Sequence, residues 1–363
     1  LVKVEELLQE YSQNPRVKIS SFFDLIAGTS TGSILGALYL CPKSSGSKEA
    51  KYSAKEILDL YLNYGSNIFE RSWKTKLIDY FGLGSPLYKE EYLEKMLKNY
   101  FDDLKLSDLL KPCLFPAYDI EHGKAIFFNK MNADKDIRRN FLVREVVRAS
   151  TAAPTYFPVA KLSNQSKELA YSLIDGGIFA NNPTLCAYIE ACKFPCQPTA
   201  NEIIILSLGT GSKGNTYPYQ VSKGWGKVGW VIPVIDIYNS SASKTVDHQL
   251  NIIYRCHHIK DQYFRIEPDL KQYDVNPAMD CVSEENIKAL VEIGDKIVEE
   301  NMSIEDEIKV LKEYIDTYQN KYNCGLDEDI NVCGRDKLPP GTAFYRPVVS
   351  GTISAHFGWY SPW

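Results

Sequence analysis

A serine flanked by glycines is the residue of this chain best suited to do chemistry. GTSTG at residues 28–32 matches the pattern G-x-S-x-G. It lies between an apolar run predicted to be a buried strand, residues 22–27, and a helix predicted at residues 31–40. In such a strand–turn–helix unit the serine hydroxyl projects at the carboxyl end of the strand, toward the first amides of the helix. We therefore predict that Ser30 is a nucleophile.

The same turn has a simpler interpretation. Gly28, Gly32 and the hydroxyls between them could cradle a phosphate or only cap the helix. Nucleotide-binding loops carry G-K-[ST] or G-x-G-x-x-G, and the sequence has neither. The position directly after a strand, where a tight turn needs glycine, favours the nucleophile.

A serine hydroxyl needs a base to become a nucleophile. Asp175 is the stronger candidate, because it ends a predicted strand and precedes Gly176 and Gly177, which allow a sharp turn and leave room for a substrate. An ordinary Asp-Gly turn is the alternative. The five histidines lie in segments that favour structural roles, and they are His122, His248, His257, His258 and His356.

Predicted strands and helices alternate along the chain, which indicates an α/β layered fold with a mainly parallel sheet. Helices are predicted at residues 1–11, 31–40, 54–64, 89–100, 137–150, 183–191, 288–300 and 303–322. Strands are predicted at residues 22–27, at 114–119 and 124–129 as a hairpin, at 173–175 and at 202–208. The last ~40 residues have little periodicity and carry no prediction.

Charge and cysteine content limit the partners and the compartment. The net charge is −5, with 46 acidic against 41 basic residues, so the chain has no general attraction for nucleic acid. The chain contains no run of ~20 apolar residues, the length needed to cross a membrane, and no signal peptide is visible. The nine cysteines are odd in number and lack metal-binding spacing, which predicts a reducing compartment and no structural metal.

Ordered motifs over about residues 20–260 make the sequence resemble the patatin-like phospholipases. These motifs are GTSTG at 28–32, ASTAAPTYFP at 149–158, LIDGGIFANNP at 173–183 and LSLGTG at 206–211, together with the predicted hairpin. Residues 225–250 further resemble the bacterial members of the family.

The resemblance implies a three-layer α/β fold, with a central, mainly parallel sheet flanked by helices. It implies a lipid acyl hydrolase of the phospholipase A or lysophospholipase type, in which Ser30 is the nucleophile and Asp175 the base, without a catalytic histidine, cofactor or metal. The expected partners are a phospholipid or another lipid ester and, by peripheral contact, a membrane, but no nucleic acid. We then expect the protein in the cytoplasm or at the membrane periphery.

One part of the family's pattern has no match here. The family's oxyanion hole includes a glycine-rich loop, D-G-G-G-x-R-G, between the first strand and the first helix, and Leu1 begins inside what resembles that helix. We expect the intact protein to carry this segment. Without it, the backbone N–H of Thr31 would be the remaining donor and the sheet would be unpaired near its centre. A chain starting at Leu1 would hydrolyse little, since one lost donor costs ~10²–10³-fold in rate.

Residues 1–270 are predicted to form the catalytic domain, and residues 271–363 a C-terminal helical extension and irregular tail that could bind a protein partner. Trp225 and Trp230 are either core residues or, with Trp359 and Trp363, anchors at a lipid interface.

An acyltransferase could use the same serine and aspartate, although Thr31 stands where that branch has a histidine. A catalytically inactive member that binds lipid or protein is the other alternative.

Overall fold

An eight-stranded sheet lies at the centre of the structure, a computed structural model that describes residues 1–68, 86–164, 168–276, 278, 281–300 and 346–351. The strands are β1 (Leu25–Gly28), β2 (Cys113–Asp119), β3 (Lys124–Asn129), β4 (Ala160–Ser163), β5 (Ala170–Asp175), β6 (Ile203–Leu208), β7 (Tyr263–Ile266) and β8 (Arg346–Gly351). Their order is β4-β5-β2-β1-β8-β6-β7, and β3 pairs with β2.

Helices flank this sheet. In the described ranges they are α1 (Val2–Ser12), α2 (Ile19–Phe22), α3 (Thr31–Tyr39), α4 (Ala54–Ile68), α5 (Glu90–Phe101), α6 (Lys130–Lys135), α7 (Val143–Ser150), α8 (Gly177–Ala180), α9 (Thr184–Ala191), α10 (Tyr219–Ser222), α11 (Lys227–Cys256) and α12 (Glu284–Glu300). Short 3₁₀ turns lie at Leu106–Asp108, Ile137–Arg139, Ala200–Glu202, Lys260–Gln262 and Leu270–Gln272.

The two faces of the sheet carry separate apolar cores. Successive residues of β1 alternate between them, since Leu25 and Ala27 pack in one core and Ile26 in the other. The larger core also takes residues of α1, α3, α4, α5 and α7, whereas the smaller core takes residues of α9 and α11. Helices on both faces of a sheet make a three-layer α/β fold, which confirms the predicted fold class.

Most of the sheet is parallel. β1 runs parallel to β2 and β8, and β6 runs parallel to β8 and β7. Among the described strands, antiparallel pairs occur only where β3 and β5 join β2 and where β4 joins β5. The carboxyl ends of the parallel strands, where ligands bind in open α/β sheets, therefore share one edge of the sheet.

Strands β1 and β5 meet end to end along one side of β2. Leu114 of β2 pairs with Ala27 of β1 on one side and with β3 on the other. Ala117, further along β2, pairs with Asp175 of β5 and again with β3 on the other side. Because a strand has only two sides, β1 and β5 must share the side that β3 does not use. β1 runs parallel to β2 and β5 antiparallel, so their carboxyl ends approach each other.

The strand beside β1 comes from the far end of the chain. β8 lies between β1 and β6, with Val349 opposite Ile26 and Gly351 opposite Gly28. The prediction of an unpaired place near the centre of the sheet is therefore wrong, because a parallel strand hydrogen-bonds to both neighbours there. The same strand lies in the C-terminal tail, for which no element was predicted.

Two predicted elements differ from the structure. The strand predicted at residues 22–27 begins only at Leu25, because Phe22 is the last residue of α2. That helix begins where the Glu5 carboxylate accepts the N–H of Ile19 (3.0 Å). The helix predicted at residues 137–150 is interrupted before Val143, since the Phe141 carbonyl accepts the N–H of Leu106 (3.0 Å) instead of continuing a helix. The helix predicted at 303–322 lies outside the described residues.

Candidate active site

Ser30 occupies a strained turn between β1 and α3. Its backbone has φ 55° and ψ −127°, a conformation that non-glycine residues rarely adopt and that is typical of a nucleophile at a strand-to-helix turn. The turn is so tight that a Cβ added to Gly28 would lie 2.0 Å from the carbonyl oxygen of Gly32. The glycine at position 28 is therefore required by the close approach of the backbone.

Asp175 ends β5 in a second turn that depends on glycine. A Cβ added to Gly176 would lie 2.3 Å from the carbonyl oxygen of Pro116 in β2. The next residue, Gly177, donates its backbone N–H to Oδ1 of Asp175 (2.7 Å). The chain thus turns directly over β2 and folds back onto the carboxylate.

The structure brings Ser30 and Asp175 into direct contact. The Ser30 hydroxyl donates to Oδ2 of Asp175 at 2.6 Å, although the two residues are 145 positions apart in the chain. Both are buried, with exposed fractions of 1% and 4%. The meeting of β1 and β5 along β2 explains the contact, because each residue lies at the carboxyl end of its strand.

Burial governs the protonation of Asp175. It raises the pKa of this carboxyl to about 7, and the hydrogen bonds from Ser30 and from the N–H of Gly177 lower the pKa only in part. A carboxylate with a pKa near neutrality accepts a proton far more readily than one at the ordinary value of 3.8. Asp175 therefore has both the position and the proton affinity of a general base.

Ser150, at the end of α7, supports the Ser30 turn, and the sequence assigned it no role. Its Oγ accepts the N–H of Ser30 (3.3 Å) and donates to the Pro116 carbonyl (2.7 Å). Ser150 belongs to the ASTAAPTYFP motif at residues 149–158, which was the available signal. The motif could not show which backbone atoms its hydroxyl would reach.

The first turn of α3 is held on both sides of Ser30. Thr29 donates its hydroxyl to the Ala180 carbonyl (2.7 Å), and Ser33 donates to the carbonyl of Ser30 itself (2.6 Å). Tyr61 donates to the carbonyl of Thr31 (2.9 Å), and Thr31 is half-buried at the first position of the helix. The N-terminus of α3 therefore lies beside the serine hydroxyl, as the sequence predicts.

The histidines in the described part of the chain do not join this pair. His122 lies in the turn between β2 and β3, where its Nδ1 contacts Oδ2 of the buried Asp119 at 2.6 Å. His248 is exposed on α11, and His257 and His258 follow the end of that helix. Neither Ser30 nor Asp175 is hydrogen-bonded to any of these four. His356 lies outside the described residues.

Nowhere within the described ranges do three or more His, Cys, Asp or Glu side chains come together so that they could hold a metal ion. None of the helices described combines the length and the apolar character that crossing a bilayer requires. The cysteines placed by the structure are free thiols, including the buried Cys41 and Cys113.

Comparison with known proteins agrees with this geometry. The family model for the patatin-like phospholipases matches residues 7–188. Patatin-like protein 3 of Arabidopsis thaliana is 29% identical over 334 residues, which cover 84% of this chain and 77% of the relative. Patatin-like protein 4 of the same plant is 30% identical over 340 residues, covering 88% and 81%. Patatin-2-Kuras 3 of Solanum tuberosum is 27% identical over 317 residues, covering 83% and 79%.

These relatives are plant proteins, so the resemblance of residues 225–250 to bacterial members stays a prediction. The matched region contains both Ser30 and Asp175, and the relatives align well beyond it toward the C-terminus. The chain therefore belongs to the patatin-like phospholipase family.

Proposed function

We propose that this protein is a lipid acyl hydrolase of the phospholipase A or lysophospholipase type, with Ser30 as nucleophile and Asp175 as base. The observation that carries the proposal is the 2.6 Å hydrogen bond between the Ser30 hydroxyl and the buried Asp175 carboxylate. Membership of the family supports hydrolysis of lipid esters in general, and the contact supports this particular pair of residues.

The first half of the reaction forms an acyl-enzyme. Asp175 in its ionised form takes the hydroxyl proton of Ser30 as Oγ attacks the ester carbonyl carbon. The tetrahedral intermediate carries its negative charge on the former carbonyl oxygen. The bond to the alcohol oxygen then breaks, and the proton held by Asp175 goes to the leaving alcohol.

The second half returns the enzyme to its starting state. A water molecule gives a proton to Asp175 and attacks the acyl carbon, the bond to Ser30 Oγ breaks, and the fatty acid leaves while Ser30 regains a proton. In both halves the N–H of Thr31, at the positive end of the α3 dipole, is the donor we assign to the oxyanion. No step needs a metal or a cofactor.

We place the substrate at a lipid surface, where the enzyme binds peripherally, in a reducing compartment. Residues 1–270 constitute the catalytic domain in this proposal, and residues 271–363 an extension that could bind a protein partner and that also supplies β8 to the sheet. Hydrolysis is preferred to acyl transfer because Thr31 follows Ser30 where the related transferases have a histidine.

The test is fatty-acid release from phosphatidylcholine and lysophosphatidylcholine, measured by mass spectrometry. Ser30→Ala and Asp175→Asn should each abolish release while the circular dichroism spectrum stays that of the wild type. Ser45→Ala and Asp59→Asn, which change exposed side chains elsewhere, should retain full activity. Full activity in either of the first two variants would overturn the assignment, and ester products formed with added glycerol would favour the acyltransferase.

A further inference from the structure

The long helix α11 extends past the edge of the sheet at which Ser30 lies. Near its end, the Tyr254 hydroxyl donates to the carbonyl of Ile203, at the amino end of β6. Ser243 instead lies level with the carboxyl end of β6, because Arg265 hydrogen-bonds to both Ser207 and Ser243. The helix therefore runs antiparallel to β6. At about 1.5 Å per residue, residues 227–242, which include Pro233, add about 24 Å of helix beyond this level.

This projecting half of α11 is close to the proposed active site. It packs against α8, the helix that begins directly after the Asp175 turn. The Asn181 side chain donates to the carbonyl of Asn239 (3.4 Å), and that of Asn182 to the carbonyl of Ser243 (3.5 Å). The projecting half and the Ser30–Asp175 pair thus lie at the same edge of the molecule.

One face of the projecting half exposes large apolar side chains. We call this face the outer stripe, and it consists of Trp230, Val234, Ile237 and Tyr238, exposed to 38%, 51%, 42% and 50%. Their spacing of i, i+4, i+7 and i+8 places them on one side of a helix. An exposed apolar patch of this kind marks an interaction site, since water contact with it is unfavourable. Val228, in the first turn of α11, is exposed as well, and so are Tyr219 and Val221 of α10.

The segment of sequence that carries the outer stripe has a net charge opposite in sign to that of the whole chain. Residues 213–246 contain the basic residues Lys213, Lys223, Lys227 and Lys244 and a single acidic one, Asp236, whereas the chain carries a net charge of −5. Asp236 accepts hydrogen bonds from Asn215 and Tyr217, both at 2.8 Å, and is thereby turned toward the protein. Apolar side chains flanked by lysines match the interface of an anionic bilayer, whose surface attracts cations and whose acyl region takes apolar groups.

We propose that the outer stripe and the lysines around it bind the surface of an anionic bilayer. The inference rests on the proposed function for its purpose, since docking at this edge would present lipid esters to Ser30. The binding itself does not require hydrolysis. The apolar side chains insert at the headgroup level, and the lysines contact the phosphate groups beside them.

The test uses full-length protein carrying Ser30→Ala, so that binding is measured without lipid turnover. Sedimentation with vesicles of phosphatidylcholine alone is compared with vesicles that contain about 30% phosphatidylglycerol. We expect binding to the anionic vesicles to fall about tenfold or more in Val234→Ser/Tyr238→Ser. It should fall about fivefold for each of Lys223→Gln and Lys227→Gln, with a loss that high salt reproduces in the parent protein.

A matched control substitutes two exposed aliphatic residues away from this helix, in Ile137→Ser/Val159→Ser, and should bind like the parent. Unchanged vesicle binding by Val234→Ser/Tyr238→Ser would overturn the proposal, and so would the absence of vesicle binding by the parent. Light scattering tests whether a second copy covers this face instead. A dimer that is lost only in Val234→Ser/Tyr238→Ser, the stripe variant, would overturn the proposal too.

Measurements of hydrolysis distinguish a failure of this inference from a failure of the proposed function. With Ser30 intact, the stripe variant should hydrolyse a short soluble ester such as p-nitrophenyl butyrate at the wild-type rate while losing most of its activity on vesicles. If the wild type hydrolyses neither substrate but Ser30→Ala protein binds anionic vesicles through the stripe, the proposed function fails and the docking surface stands.

Discussion

The hydroxyl of Ser150 accepts the backbone N–H of Ser30 at 3.3 Å and donates to the carbonyl of Pro116 at 2.7 Å. It thereby joins the strained serine turn to β2, the strand that also pairs with Asp175 through Ala117. The proposed nucleophile and the proposed base are positioned against the same strand. This shared support keeps Oγ and the carboxylate within hydrogen-bond distance while both are buried.

Replacing Ser150 should therefore loosen the serine turn. Ser150→Ala leaves the buried N–H of Ser30 and the Pro116 carbonyl without this partner, which we expect to lower the free energy of unfolding by about 1–3 kcal/mol. Ser150 contacts the backbone of the turn and not the Ser30 hydroxyl. We therefore expect kcat for a soluble ester to fall while KM stays nearly constant. Urea denaturation and steady-state kinetics measure the two effects, and an unchanged kcat would contradict a positioning role.

The turn after Asp175 should tolerate no side chain at Gly176. A Cβ there would meet the Pro116 carbonyl oxygen at 2.3 Å, and this backbone atom cannot move without displacing β2. We expect Gly176→Ala to destabilise the fold by several kcal/mol or to prevent its accumulation, as thermal denaturation would reveal. Gly294→Ala is the matched control, because a Cβ at that exposed position of α12 meets nothing within 4 Å and should stabilise the helix by about 0.5–1 kcal/mol. Equal stability of the two variants would rule out the crowding at Gly176.

Asp175 should make both activity and stability depend on pH. The ionised carboxylate is the base, so hydrolysis should rise as the pH increases through about 7, its pKa in the folded protein. The sign for stability is the reverse. A carboxyl whose pKa is raised by folding binds more protons in the folded state, so its stabilising contribution is complete below the ordinary carboxyl range and is lost as the pH rises through about 7.

Asp175→Asn tests that linkage, since the amide does not titrate. The free energy of unfolding of this variant, relative to wild type, should be higher at about pH 8 than at about pH 5. Urea denaturation at the two pH values gives the difference directly. A difference that does not change with pH would mean that Asp175 has no raised pKa.

Glu5 should be a structural carboxylate of the N-terminal region. It is buried on α1, and it accepts the N–H of Ile19 (3.0 Å) and of Ala54 (2.8 Å), so it connects α1 to the starts of α2 and α4. Glu5→Ala leaves two backbone donors without this acceptor and should cost about 2–4 kcal/mol of stability. The neighbouring Glu6 is exposed on the same helix, and Glu6→Ala should change stability by less than about 0.5 kcal/mol. Similar denaturation midpoints for the two variants would refute this role of Glu5.

Local patterns predicted the two glycine-dependent turns, but they did not predict how the residues of these turns meet. The glycines around Ser30 and after Asp175 indicate two tight turns, and both turns are present because the backbone approaches too closely for a side chain. The contact between them depends on β1 and β5 sharing one side of β2. That pairing joins segments far apart in the chain, and no local pattern specifies it.

The position of β8 and the role of Ser150 were not predicted from the sequence, for a related reason. Residues 346–351 contain proline and glycine and no alternating pattern, and they become a strand through pairing with β1 and β6. The Ser150 hydroxyl acquires its role only where Ser30 and Pro116 come together. In each case the information lies in distant partners, which override weak local preference.

Labelling with a fluorophosphonate probe tests most directly whether the buried carboxylate activates the serine. Such a probe bonds covalently to a serine Oγ that an adjacent base deprotonates, and intact mass with peptide mapping locates the adduct. We expect one adduct, on Ser30, which Ser30→Ala eliminates and Asp175→Asn reduces at least about a hundredfold in rate. Folded wild-type protein that leaves Ser30 unlabelled, or Asp175→Asn protein that reacts as fast as wild type, would contradict the account.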